Sequence, residues 1–340
     1  MISYYLPSES KIGVGHQAHQ LANALTDRGH EVTMHSACSP VPGARYRHVL
    51  VAPRGRLRTF RFATALRRLG FSEYDVLHAH GDDYWMWRRR ARAHVRTLHG
   101  SCFDEALHIR GWVERVRMFL LGLSEVLASV VADRTVVVSP GTRRWTPWVH
   151  DVIPNGVDST RFHPRRDRDV ATVLMVGTWA NRKRGALLGR QFVDHVLPRV
   201  PQARLRIVST DVPSDFHPAV VSVGRISDDD LAAEYARATI FCLPSSYEGF
   251  GIPYAEAMAS GAAVVATPNV GARFVTDDGR DGLIVEASRL GEAIGDLLVD
   301  SDRRAELSRR GLERSRAFAM ATVVDQYEQV YRETIARRTR

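Results

Sequence analysis

Short apolar runs alternate along this chain with longer segments whose apolar positions recur every three or four residues. That alternation is the rhythm of βα units on a parallel sheet, and it occurs twice. In the first half it predicts strands at 2–6, 31–36, 47–51, 76–79, 95–98 and 135–138 and near Val152, with helices notably over 15–28 and 112–132. The second half restarts at 172–177 and continues with strands near 205–209, 220–223, 240–243, 263–266 and 283–285. The last helix, 321–337, places Val323, Val324, Tyr327, Val330 and Tyr331 on one buried face. Residues 118–132 form the longest apolar stretch, broken by Ser124 and Glu125. This run falls short of the roughly 20 residues a bilayer requires and reads as a buried helix. Between the halves, 155–170 combines an Asn-Gly pair with isolated aromatics and a run of charge, the signature of an interdomain linker.

Composition agrees with two domains. The chain has 340 residues and is 44% hydrophobic, enough for two packed cores. The apolar segment 2–6 has no basic region before it, so a signal peptide is not expected. Cys38, Cys102 and Cys242 show no metal or redox spacing and fit reduced thiols in a cytoplasmic protein. The net charge is +9, almost wholly from arginine, since Lys11 and Lys183 are the only lysines. Arginines concentrate at 54–68, 88–96 and 110–117, with Trp85, Met86 and Trp87 beside one cluster. Two readings follow: a solvated basic surface, or a peripheral contact with a membrane that holds a lipid-linked acceptor. No nucleic-acid-binding motif accompanies the charge, so nucleic acid is not an expected partner.

The densest chemistry lies in Glu248-Gly-Phe-Gly-Ile-Pro-Tyr-Ala-Glu256, where two carboxylates flank a glycine loop that runs into a helix. Pro253 suits the first helical position and Gly261 the end. Free N–H groups and the positive end of the helix dipole gather at such an N-terminus, so phosphate or sugar oxygens can be held there. Gly249 and Gly251 let backbone approach closely. Glu256, one turn inside, can accept from a ribose diol, with Glu248 nearer the sugar. The plainer alternative is that Glu256 complements the dipole and Glu248 is solvated.

Several landmarks flank this segment in one order: Gly13-Val-Gly15 before a helix, Asp75-Val-Leu-His-Ala-His80, Thr97-Leu-His99-Gly100, Val137-Val-Ser139 and Ile153-Pro-Asn-Gly-Val-Asp158. Then come Val176-Gly177-Thr-Trp-Ala-Asn-Arg182-Lys183, Val223-Gly224-Arg225 and Leu243-Pro-Ser-Ser-Tyr-Glu248. In this order and spacing the chain resembles the family 4 retaining glycosyltransferases. The resemblance implies an α/β fold of GT-B architecture, two Rossmann-like parallel-sheet domains facing a cleft. The domains would be 1–160 for the acceptor and 161–320 for the nucleotide-sugar donor, with a helix at 321–340 crossing back to the first.

It further implies transfer of a sugar from a UDP- or GDP-linked donor to a hydroxyl acceptor (small molecule, glycan or lipid-linked) by a front-face reaction, with no cofactor and no metal. Arg182 and Lys183 would stabilise the departing diphosphate, Arg182 standing in for a family arginine where this chain has Thr178. Glu248, Gly249, Phe250, Gly251, Ile252 and Glu256 would hold the donor, with Arg225 marking the base-reading strand end and Gly15 approaching the phosphates. His99 would contact the donor sugar near the reacting carbon, or else be a histidine satisfied in the core. His16 is the acceptor-side candidate, with a plain surface residue as its alternative.

Asp228-Asp229-Asp230 reads as a helix cap and first-turn charge, not a metal motif. Arg273 and Phe274 occupy the family's Pro and Glu positions. Three alternatives stand beside transfer: a dehydrogenase, a nucleotide-sugar epimerase, and a catalytically silent nucleotide-sugar binder. Gly13-x-Gly15-x-x-Ala18 fits a dinucleotide fingerprint, but the loop before Gly13 is long and His35-Ser36 lacks the acid a ribose diol needs.

Overall fold

All strand pairs among the described residues run parallel. Parallel pairing needs a crossover between successive strands, and the helical segments of the sequence supply it. The computed structural model describes residues 1–7, 13–52, 58–86, 91–109, 111–165 and 171–339. Arg54, Arg56, Trp87, Arg88 to Arg90, Arg110 and the end of the charged linker lie outside them. The chain divides into two compact units, Met1–Gly156 with Met320–Arg340, and Val157–Ala319.

The first unit holds β1 (Thr33–Ser36), β2 (Arg47–Leu50), β3 (Val76–Ala79), β4 (Ala93–Leu98), β5 (Arg134–Val137) and β6 (Asp151–Val152). The segment expected as a strand at 2–6 is shorter than predicted: Ile2 alone forms ladder bridges, in parallel, to His35 on one side and Ala79 on the other. It nevertheless joins the β1–β2 pair to the β3–β4–β5–β6 sheet, through Ile2 N–H to the His78 carbonyl at 2.8 Å and Ser3 N–H to the His35 carbonyl at 3.1 Å. The helix Gly13–Asp27 and the C-terminal helix Met320–Thr339 cover one face. Leu21, Leu25, Val95, Val136 and Ile153 pack there against Val323, Val324, Tyr327, Val330 and Tyr331, the five positions that the sequence spacing singled out.

The second unit holds β7 (Thr172–Val176), β8 (Arg204–Val208), β9 (Val220–Ser222), β10 (Ile240–Leu243), β11 (Ala263–Ala266) and β12 (Leu283–Ile284), in spatial order β12-β11-β10-β7-β8-β9. This is the doubly wound order, with its reversal between β7 and β10. The central strands are buried along their length, which is why they read as unbroken apolar runs. Helix Asp228–Arg237 is capped by Ser227, whose hydroxyl accepts from the Asp230 N–H, so the three aspartates form its first turn and none of them is the cap.

One expectation is overturned. The segment 118–132 belongs to the helix Trp112–Val131, and only one of its two apolar faces is buried. Met118, Leu121 and Ala128 enter the core, whereas Phe119, Leu120, Leu123, Leu127 and Val130 are exposed. A continuous apolar run cannot by itself distinguish burial on all sides from two opposed apolar stripes.

Candidate active site

Open parallel sheets hold ligands beyond the carboxyl ends of the two strands flanking the reversal. Both loops with the predicted chemistry start there: β7 leads through Gly177 to Lys183, and β10 leads to Glu248. Gly177 has φ of +149°, and a Cβ on it would stand 3.1 Å from Lys183 Cγ, so the lysine stem lies directly over this turn. Lys183 Nζ donates to Glu248 Oε1 at 2.7 Å. Arg182 Nη1 lies 3.3 Å from the same oxygen and donates to the Tyr247 carbonyl at 2.8 Å. Glu248 is buried. Burial lowers the Lys183 pKa from its ordinary value, and Glu248 works against that. A third cation, Arg184, has left-handed backbone (φ +56°) and turns away, donating to the Pro244 carbonyl at 2.5 Å and to Thr267 Oγ1 at 2.8 Å. It ties the cationic loop to the ends of β10 and β11.

The glycine loop then enters the helix Ile252–Ala259. This helix begins at Ile252, so Pro253 is its second residue and not its first, a shift costing nothing because N–H groups of the first turn lack intrahelical partners anyway. Gly251, at φ +89°, forms the entry, and no side chain caps it. At the far end Gly261 (φ +76°) donates to the Met258 carbonyl and Ala262 to that of Ala257, both at 2.9 Å. These two bonds form a Schellman closure. Glu256 is partly buried beside Tyr235, whose ionisation is opposed first by burial and then by this carboxylate. It also lies within electrostatic reach of Lys183. Arg182, Lys183, Glu248, Gly249, Gly251, Ile252 and Glu256 thus converge on one helix end.

Phe250 takes a different part. Its ring is buried, 5.9 Å from that of Phe274 and 5.5 Å from that of Phe318, with Arg314 5.0 Å over Phe318. Only its backbone is left to meet a ligand. Phe274, at the family's Glu position, therefore completes an aromatic cluster beneath the glycine loop, while Arg273 is exposed, 3.4 Å from Asp278. Arg225 is exposed after Gly224, past the edge strand β9 and two strand positions from β7. Sequence reasoning missed Gly271. A Cβ there would come within 2.6 Å of the Phe250 carbonyl oxygen and 2.8 Å of that of Glu248, and its N–H donates to Glu248 O at 2.9 Å. Gly271→Ala is expected to displace the glycine loop and cost about 1–3 kcal/mol, measured by chemical denaturation, with nucleotide affinity falling in step.

In the first unit, Gly15 lies against the Leu6 backbone, where a Cβ would stand 3.0 Å from it, and His16 beside it is partly buried. The next residue, Gln17, was not singled out, yet it exchanges two 2.9 Å hydrogen bonds with the backbone of Gly156, the last residue before the second unit. His99 Nδ1 is 3.1 Å from Asn155 Oδ1, and its Nε2 is 2.9 Å from His80 Nδ1. An amide oxygen only accepts, so His99 carries its proton on Nδ1 and accepts from His80 at Nε2. Burial, with a smaller contribution from Arg96 and against the Asn155 hydrogen bond, lowers the His99 pKa to about 4, so the ring is neutral at pH 7.

Burial likewise lowers His35 to about 4 and drives His78 and His80 well down. These groups bind fewer protons folded than unfolded between pH 6.5 and 4. Stability is therefore expected to fall as pH drops through that window, read as a declining thermal midpoint. His94, lowered to about 4, and His48 act in the same sense, whereas Asp82, raised to about 6 by burial, and Glu125, also raised by burial, act in the opposite one, two carboxylates against six histidines.

A second missed group is the buried set Asp83, Arg96 and His94. Arg96 pairs with Asp83, whose other oxygen lies 3.0 Å from His94 Nε2. Two carboxylates immediately after Gly81 were its only sequence signal. No group of three His, Cys, Asp or Glu side chains able to hold a metal ion occurs among the described residues.

Comparison with known proteins now adds to this geometry. Residues 12–161 match the family description Glycosyltransferase Family 4, and residues 170–300 match Glycosyl transferases group 1. Phosphatidyl-myo-inositol mannosyltransferase of Mycolicibacterium smegmatis is 27% identical over 98% of this chain and 94% of its own. D-inositol 3-phosphate glycosyltransferase of Corynebacterium aurimucosum is 26% identical over 78% and 73%. Among solved structures, sucrose-phosphate synthase from Thermosynechococcus elongatus superposes with a TM-score of 0.81 at 23% identity, covering 98% of both chains. Anabaena HepE in complex with UDP-glucose gives 0.76 at 15% identity, also over 98% of each.

Proposed function

This chain belongs to the family 4 glycosyltransferases of GT-B architecture, and from that premise we propose that it moves a hexose from a UDP- or GDP-linked donor to a hydroxyl acceptor with retention of configuration and without a metal. The observation that carries the proposal is the convergence of Lys183, Arg182, Glu248 and Glu256 on the uncapped N-terminus of helix Ile252–Ala259. A diphosphate placed there meets two cations and free backbone N–H groups, which offset the charge that develops as the glycosidic bond breaks. Glu256 accepts from the ribose hydroxyls. Glu248 holds Lys183 in place before the donor arrives and faces the sugar afterwards.

The step balances without a protein nucleophile. The bond from the anomeric carbon to the phosphate oxygen breaks, and the acceptor oxygen bonds to the same face. The acceptor's proton passes to the departing phosphate oxygen. His99, neutral at pH 7, is proposed to contact the transferred sugar. As an uncharged ring it adds no positive charge beside a carbon that is itself becoming cationic.

Two relatives carry inositol lipid or inositol phosphate in their names, and HepE was solved with UDP-glucose. The HepE complex puts UDP-hexoses first among the donors to try, GDP-hexoses follow, and inositol-type hydroxyls stand among the acceptors. The test incubates the protein with each donor and an acceptor panel, reading nucleotide release and product configuration by NMR. An α-linked product from an α-linked donor supports the proposal; an epimerised donor with no acceptor product overturns it.

A further inference from the structure

The helix Trp112–Val131 presents an apolar stripe that the sugar-transfer reading does not use. Trp112, Val113, Val116, Phe119, Leu120, Leu123, Leu127 and Val130 are all exposed, with Trp112 at 76% and Val130 at 67%. At about 100° per residue these eight fall within an arc of roughly 120°, and no polar residue interrupts it. Arg115 borders one edge and Arg117, paired with Glu114, the other. Beside the helix, Trp145 and Trp148 are also exposed, with Trp148 Nε1 3.2 Å from Ser129 Oγ and Arg144 lying 5.2 Å over the Trp145 ring. Isolated exposed apolar residues are ordinary in folded proteins, but a contiguous stripe of eight along one helix marks a contact surface.

We propose that this stripe is a bilayer-docking surface, on which the helix lies in the plane of an anionic membrane. Three features select a lipid surface. Leucine, valine and phenylalanine face outward with nothing polar among them, as an acyl layer requires. Trp112 stands at the start of the stripe, where its amphipathic ring suits the headgroup level. Arginines border it, and in a chain of net charge +9 their long stems bury alongside the apolar face while the guanidinium groups reach anionic headgroups.

A second copy of the chain fits less well. A two-fold contact sets one patch against itself and gathers Arg115, Arg143 and Arg144 of both copies on one rim, with like charges facing. No described helix is long and apolar enough to cross a membrane, so the contact is peripheral. This surface does not depend on the donor chemistry, and its failure would leave that reading untouched.

The experiment is co-sedimentation of the full chain with phosphatidylcholine vesicles, with and without phosphatidylglycerol. Its variant is Leu120→Gln with Leu123→Gln, both at exposed positions that make no part of the donor site. The native chain is expected to sediment with the phosphatidylglycerol vesicles and to be released by added salt. The variant should bind them at least about tenfold more weakly while keeping the native thermal midpoint. No sedimentation of the native chain, equal sedimentation of the variant, or a native dimer in solution that the variant abolishes would each overturn the proposal.

Discussion

Lys183→Ala is expected to lower the rate of sugar transfer by about two to three orders of magnitude, the effect of removing one preorganised group that stabilises developing charge. The loss should fall mainly on kcat, because the leaving diphosphate carries more charge in the transition state than in the bound donor. Geometry makes this the most sensitive side chain of the site. Lys183 Nζ is 2.7 Å from a buried carboxylate, whereas Arg182 is more exposed and reaches the same oxygen only at 3.3 Å. Arg182→Ala should therefore cost less than Lys183→Ala. The lysine variant also leaves Glu248 with a single, longer ion pair, so a modest loss of thermal stability should accompany it. Lys183→Arg keeps the charge but not the compact ammonium over the Gly177 turn, and it is expected to recover only part of the rate. Nucleotide release under saturating donor, measured beside the thermal midpoint, separates the catalytic effect from the structural one.

Asp83→Ala is expected to destabilise the first unit by about 3–5 kcal/mol, the range for removing one partner of a buried ion pair. Asp83 and Arg96 are both almost wholly inaccessible, so the substitution strands a guanidinium in the core. Tyr84, whose ring lies 5.9 Å below Arg96, cannot replace a carboxylate. The paired variant Asp83→Leu with Arg96→Met removes both charges and should recover most of the loss, because the penalty arises from the uncompensated ion more than from the lost attraction. Thermal unfolding of the two singles and the double completes the cycle. Strict additivity would show that the pair does not interact.

These two sites differ in how visible they were before the fold was known. The candidate donor site was legible because its constraints are local in sequence. A strand end, two glycines, a helix start and a carboxylate one turn in must follow one another, and Glu248 to Glu256 carries them in that order. The βα alternation was legible for a similar reason, since strands buried on both faces read as apolar runs. The Asp83–Arg96 pair was not, because one partner comes from the loop after β3 and the other from within β4, and nothing near either residue announces the other. Gly271 escaped notice because what forbids a side chain there is the carbonyls of Glu248 and Phe250, more than twenty residues earlier in the chain. Residues 118–132 misled for a physical reason. Hydrophobicity reports what a side chain avoids, and an exposed apolar face and a buried one have the same composition.

The departures from the family pattern now have local explanations. Thr178 sits in a turn fastened by Asp211, which accepts from Trp179 N–H at 2.8 Å and Ala180 N–H at 3.3 Å. The cation proposed to replace the family's arginine lies four residues later, at Arg182. Phe274 exchanges a carboxylate for a ring that supports the glycine loop from below.

The most direct test of the donor-site assignment is calorimetric titration of the native chain and of Glu256→Gln with UDP and GDP. The account predicts that one of the two binds the native chain and that the variant binds it about ten- to a hundredfold more weakly, as expected for loss of a charge-assisted bond to a ribose diol. Failure of the native chain to bind either nucleotide, or binding that Glu256→Gln leaves unchanged, would contradict it.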